Sequence, residues 1–196
     1  PGIAFAGAEP EPPKANKKKK SEGDKPRAWK AEIRNHNLFA KNADTGDEIQ
    51  LTTDGTADHY YHKPFGWSPD GRHLVVAKTK AGTRRKIDLI HAAPADRLQP
   101  RTETISYAKP GDDIDLTKPH LFNLEAGKEI PLDDTLFANP FFMRTVRDSL
   151  HWSAESGRFF FLYNERGHQT MRLLAVEAAT GEVRPVVEEK SETFID

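Results

Sequence analysis

Cysteine is absent from the 196 residues, which removes disulfides, thiolate metal sites and a cysteine nucleophile together and leaves the redox compartment open. No apolar run approaches the roughly 18 residues that a bilayer-spanning helix needs, so no membrane span is expected. Neither sign of charge dominates. The 29 basic and 30 acidic residues leave a net charge of -1, which supplies no field to recruit nucleic acid or an anionic membrane. A Gly-x-Ser-x-Gly nucleophile elbow occurs nowhere, so no catalytic serine is assigned within this sequence. No glycine-centred calcium loop of EF-hand type is present either.

What is there is a repeat. Leu38-Phe39 leads to Gly46 and Leu51, Leu121-Phe122 to Gly127 and Leu132, and Leu173-Leu174 to Gly181 and Val186. Each copy is a short apolar strand, a turn holding glycine, and a second strand. Two further segments, Trp67-Ser68-Pro69-Asp70-Gly71 and Trp152 to Gly157, each precede an apolar run, Leu74 to Ala77 and Phe159 to Tyr163. Strand signals at this spacing, with almost no 3.6-residue periodicity, predict an all-β domain and, from the repeat, a β-propeller. Such a fold is a platform, so function must be argued from what it carries.

Residues 1–28 are rich in proline, lysine and small polar types, including Lys17 to Lys20, and are predicted to be a disordered or linker segment. Ile3 to Ala8 fits the tail of a cleaved export signal or a stray strand, and an exported or periplasmic location is preferred to a cytoplasmic one. Residues 29–196 form the propeller domain. Trp29 to Arg34 and Asn37 to Lys41 flank a tight turn at Asn35-His36, and Glu48 to Leu51 pairs back. A second unit joins Phe65 to Trp67, Leu74 to Thr79 and Lys86 to His91. The stretch from Ala92 to Leu116 is a long connection of the kind that carries function. The Gly127 hairpin makes a third unit, and Leu150 to Glu188 a fourth. The expectation is a partial propeller of three to four blades. Its start on Pro1 and its end on Thr193-Phe194-Ile195-Asp196 make the sequence read as a piece of a longer one.

The order Asn37-Leu38-Phe39 with Thr45-Gly46, Leu51 to Gly55, Trp67 to Gly71, Tyr107-Ala108-Lys109-Pro110-Gly111-Asp112, Asn164 to Gln169, then Glu188-Glu189 and Thr193-Phe194 resembles the amino-terminal propeller of dipeptidyl peptidase IV-like serine peptidases. These belong to the prolyl oligopeptidase superfamily. The resemblance implies an eight-bladed ring packed on a C-terminal α/β-hydrolase domain, whose Ser-Asp-His triad cleaves peptides after a penultimate proline or alanine. It implies that the propeller gates substrates and, in the dipeptidyl peptidases, lends a glutamate pair to grip the free amine. Where that pair is expected, between Gly55 and Trp67, the sequence has no adjacent carboxylates. Glu188-Glu189 resembles a blade position and is not given the role.

His59-Tyr60-Tyr61-His62 lacks the convergent third ligand of a zinc site and is expected as a surface loop at the propeller mouth, where His59, Tyr60 and Tyr61 can contact peptide. Arg166 and His168, in Arg166-Gly167-His168-Gln169, either reach substrate or form a structural hairpin turn. Ser68 and Ser153 are expected to bond their own backbone. Asp112-Asp113 and Asp133-Asp134 are expected as solvated turn pairs. Phe159-Phe160-Phe161, Trp67 and Trp152 are predicted core and inter-blade packing. No catalytic residue, metal ligand or cofactor is assigned. The partners expected are peptide substrates, a hydrolase domain in the same chain and a second copy in a homodimer, with no nucleic acid. The alternative is a non-catalytic propeller that binds proteins.

Overall fold

The computed structural model describes residues 28–140 and 150–195. The expected linker, with the Ile3 to Ala8 and Lys17 to Lys20 segments, lies outside the described residues but for Ala28. Among the described residues three antiparallel sheets follow one another along the chain as propeller blades. Blade one is β1 (Trp29–Arg34), β2 (Asn37–Asn42) and β3 (Glu48–Gln50), in that order. Asn35 and His36 both take positive φ, +48° and +68°, as a two-residue hairpin matching the strand twist requires.

Blade two is β4 (His59–Trp67), β5 (His73–Lys80), β8 (Leu116–Asn123) and β9 (Lys128–Ile130). β6 (Lys86–His91) and β7 (Arg101–Ser106) pair only with each other, as a two-stranded arm inserted between β5 and β8. The expected pairing is therefore corrected. Lys86 to His91 does not extend the Leu74 to Thr79 sheet; Leu116 does, opposite Lys80. The second and third units read from the sequence are one blade, and the long connection contains an unforeseen strand. Blade three is β10 (His151–Trp152), β11 (Arg158–Asn164), β12 (Thr170–Glu177) and β13 (Val183–Lys190), as expected. A short 3-10 turn, η1 (Asp134–Phe137), is capped by the Asp133 side chain and leads out of blade two.

Strand β5 explains how the blades stack. Leu74, Val75, Val76 and Ala77 are all buried, so the strand is covered on both faces, unlike a half-exposed sheet strand. Leu74 and Val76 join Leu38, Tyr61 and Phe122 in the seam with blade one. Val75 joins Leu121, Phe159, Phe161 and Val176 in the seam with blade three. Phe159 and Phe161 are fully buried while Phe160 between them faces the other way. The tryptophans pack between blades as expected. Trp152 donates its indole N–H to the Gly66 carbonyl of blade two at 3.3 Å and stacks on His73, and Trp67 lies against the first seam.

Candidate functional site

Strand direction sorts the connections onto two ends of the blades. At one end lie the glycine hairpins and the turns before β5 and β11. There Ser68 Oγ is buried and bonds Asp70 and the His73 backbone, and the Asp70 amide bonds Ser156 Oγ of blade three at 3.0 Å. This serine is committed to turn geometry, as the sequence suggested.

At the other end lie the β1–β2 turn of blade one, the arm of blade two and the β11–β12 turn of blade three. All five sequence-assigned contact residues gather at this end. His59, Tyr60 and Tyr61 stand at the start of β4, so the segment is strand and not the expected loop. The reason is that the His36 carbonyl accepts the Tyr61 N–H at 3.1 Å and the Asp58 carbonyl accepts the Ala81 N–H at 2.8 Å, which ties both flanks of the segment into the blades. His59 is exposed and Tyr60 half-buried, with the Tyr60 ring 6.4 Å from His36 and 5.5 Å from His62. Gly55 passes close beneath: a Cβ there would meet the His36 carbonyl oxygen at 2.2 Å.

Tyr61 is buried, with its ring edge-on to His120 and Phe122. Its hydroxyl donates to Asp54 at 3.2 Å, and Lys78 pairs with the same carboxylate while lying over the ring. Burial, then the negative charges of Glu129 and Asp54, push the Tyr61 hydroxyl pKa up, so it stays a neutral donor. Burial also acts to raise the Asp54 carboxyl, but Lys78 and the Tyr61 hydroxyl outweigh it and hold the group below its ordinary range. His62 faces the Lys63 carbonyl through Nδ1 at 2.8 Å, which places its proton there. Its Nε2 then accepts from the Thr79 hydroxyl at 2.7 Å, and Thr117 continues the chain.

Arg166 and His168 sit in the β11–β12 turn, with His168 at φ +58° and Gly167 at +108°. His168 Nδ1 lies 3.1 Å from the Asn164 amide nitrogen and accepts from it. Arg166 reaches into blade two, donating from Nη2 to the Asp112 carbonyl at 2.8 Å, and its amide N–H bonds the Asn139 carbonyl. Asp112 is not the solvated turn acid expected: its side chain is only 10% exposed. It accepts the Lys109 amide N–H and the Arg85 guanidinium, which together hold its pKa low. Asp133 caps η1 and Asp134 pairs with Lys118, so neither is free. Glu188 is committed to Arg172 and Lys190.

The two candidate groups are thus joined through the base of the arm, to Asp58 on one side and to Arg166 on the other. The sequence gives no role to Asp54 or Lys78 and presents Asp112 only as a solvated turn acid. The signal for Asp112 was its place one residue after Pro110-Gly111, where a turn needs a side-chain acceptor. Nothing local marked Asp54 or Lys78. A cavity of about 170 Å³ between β8, β9 and η1 has its charges already matched, Lys118 to Asp134 and His120 to Glu129. Among the described residues no three histidine, aspartate or glutamate side chains converge as a metal site, and no helix is long and apolar enough to cross a membrane.

Comparison places this architecture among known proteins. Residues 27–196 match the family model described as the dipeptidyl peptidase IV (DPP IV) N-terminal region. Among solved structures, the dipeptidyl peptidase 4 of Porphyromonas gingivalis is similar over 86% of this chain at 17% identity, with a TM-score of 0.58. A protein of Bacteroides ovatus labelled a dipeptidyl aminopeptidase IV is similar over 86% at 13% identity, with a TM-score of 0.47. The match covers 25% of the first of these chains and 29% of the second, so this chain spans about a quarter of their length. No curated protein matches by sequence.

Proposed function

We propose a role from one premise: the chain belongs to the family of dipeptidyl peptidase IV N-terminal regions. On that premise it is the propeller part of a serine peptidase. It admits and docks peptides for an α/β-hydrolase domain in the same polypeptide, where a serine with a histidine base performs acyl transfer. One observation carries the docking role: His59, Tyr60, Arg166 and His168 share one end of the blades, held at a fixed spacing by the base of the arm. His59 and Tyr60 present an imidazole and an amphipathic ring to an extended peptide. Tyr61 is a positioning residue, since its burial leaves it no access to substrate. Arg166 and His168 form the opposite wall. The exposed Leu89, Ile90 and Leu98 on and beside the arm support the expectation of a homodimer.

The test uses the full-length protein. Tyr60→Ala should raise KM for peptides with a free amino terminus by about tenfold with kcat largely kept, the sign of lost uniform binding. An unchanged KM overturns the docking role. Absence of serine-dependent peptide hydrolysis by the full-length protein overturns the peptidase reading itself.

A further inference from the structure

Three cations gather around one carboxylate at the base of the arm. Asp112 is nearly enclosed, its side chain 10% exposed, and it accepts from Arg85 Nε at 2.6 Å and from the Lys109 amide at 2.9 Å. The Lys109 ammonium acts on the same carboxylate through its charge. Arg166 of blade three completes the group, donating from Nη2 to the Asp112 carbonyl at 2.8 Å. Arg85 is 58% exposed, and Lys109 and Arg166 are exposed as well. The acid therefore sits inside while the cations meet solvent.

Only Arg85 forms an ion pair with that acid. Arg166 meets the Asp112 backbone and no carboxylate, which occupies one of its several N–H groups. Neighbouring acids do not take up the rest among the described residues: Asp115 pairs with Arg84, and Asp113 and Glu165 form no ion pair. A bond to a backbone carbonyl needs a single donor and no charge, so a purely structural role leaves the Arg166 fork and the Lys109 ammonium unaccounted for.

We infer that Arg166 and Lys109 form a receptor for a carboxylate of the docked peptide, whether an acidic side chain or the terminal carboxylate of a short peptide. Its premise is the docking role proposed above, in which Arg166 belongs to the wall opposite His59 and Tyr60. A guanidinium fork matches two carboxylate oxygens at once, and an ammonium beside it adds a point charge. Anchorage to the Asp112 carbonyl holds the fork in place before the ligand arrives, so less side-chain freedom is lost on binding. Peptides that carry a carboxylate are thereby preferred to neutral ones.

The experiment titrates full-length protein by calorimetry after treatment with a serine-directed fluorophosphonate, so that binding is read without turnover. The peptides begin Ala-Pro and carry one glutamine or one glutamate at the third, fourth or fifth residue, all with amidated ends. A glutamine series with a free terminal carboxylate separates the second source. Tighter binding of a charged peptide than of its neutral counterpart, by about fivefold or more, weakened by salt and lost in Arg166→Gln, supports the site. Lys109→Gln must reduce the same preference. It leaves the Lys109 amide on Asp112, which keeps the test decisive should Arg166→Gln loosen the arm. Equal binding of charged and neutral peptides, or a preference unchanged in either variant, overturns the receptor and leaves the docking role standing. Binding of none of the peptides overturns the docking role itself, and the receptor with it.

Discussion

Arg166 of blade three donates from Nη2 to the backbone carbonyl of Asp112 in blade two at 2.8 Å, across 54 residues of sequence. Asp112 meanwhile clamps both stems of the arm, Arg85 before β6 and Lys109 after β7. The arm is a two-stranded hairpin, marginal by itself, so its base depends on this junction. Arg166→Ala should speed amide exchange through residues 83–115, consistent with a loss of about 1 kcal/mol in local opening, while exchange at Val75 and Val76 in the core is unchanged. Equal protection in the arm of both proteins would show that Arg166 rests on Asp112 without holding it.

The acid limb of stability follows from Asp54 and Asp70. In both, burial acts to raise the carboxyl, but their partners prevail: Lys78 and Tyr61 for Asp54, Ser68 and the Arg72 amide for Asp70. The folded pKa therefore lies below the ordinary 3.8. Such a group stabilises fully above its unfolded value and loses that contribution as pH falls through the folded one. Asp54→Asn should melt lower than the parent protein at neutral pH, with the difference shrinking below pH 3.8. A difference constant with pH would remove the Lys78 and Tyr61 contacts as its cause.

How much of this was legible in the sequence depended on the range of the interaction. Turns are local, and Gly46, Gly127 and Gly181 all have positive φ at the hairpins that their spacing indicated. Pairing between distant segments is not local. Lys86 to His91 alternates like a sheet strand and follows β5 at once, so adjacency favoured it. The strand that completes the sheet arrives only at Leu116, opposite Lys80, and no pattern within either segment records that. Tyr61 was misplaced for a similar reason. Its neighbours are polar and Pro64 follows, while the His36, His120 and Phe122 contacts that bury it come from elsewhere in the chain.

The seam between blades two and three offers a smaller test. Trp152 fills it with an indole stacked on His73 at 6.2 Å and bonded to the Gly66 carbonyl. Trp152→Phe keeps most apolar area and removes the donor, so it should cost about 1–2 kcal/mol. Trp152→Ala empties the site and should cost about 3–5 kcal/mol by denaturant unfolding. Equal losses would mean that the N–H, not the packing, dominates.

Two hairpin glycines separate backbone strain from packing. Gly46 and Gly181 have nearly the same φ, +81° and +76°, yet a Cβ at Gly46 meets nothing, while one at Gly181 would lie 2.1 Å from the Pro131 carbonyl oxygen. Gly46→Ala therefore incurs only the left-handed backbone penalty, about 1–2 kcal/mol. Gly181→Ala incurs that and must also push the blade-three hairpin off Pro131, a backbone atom with no rotamer to yield. Pro131 follows directly on Ile130, which belongs to the seam core, so displacing it disturbs packing between blades two and three. The loss for Gly181→Ala should exceed that for Gly46→Ala by about 2 kcal/mol or more. Amide exchange should spread the added loss to Val75 and Val176 across the seam, and similar losses in the two variants would mean that the blade-three hairpin is not seated on Pro131.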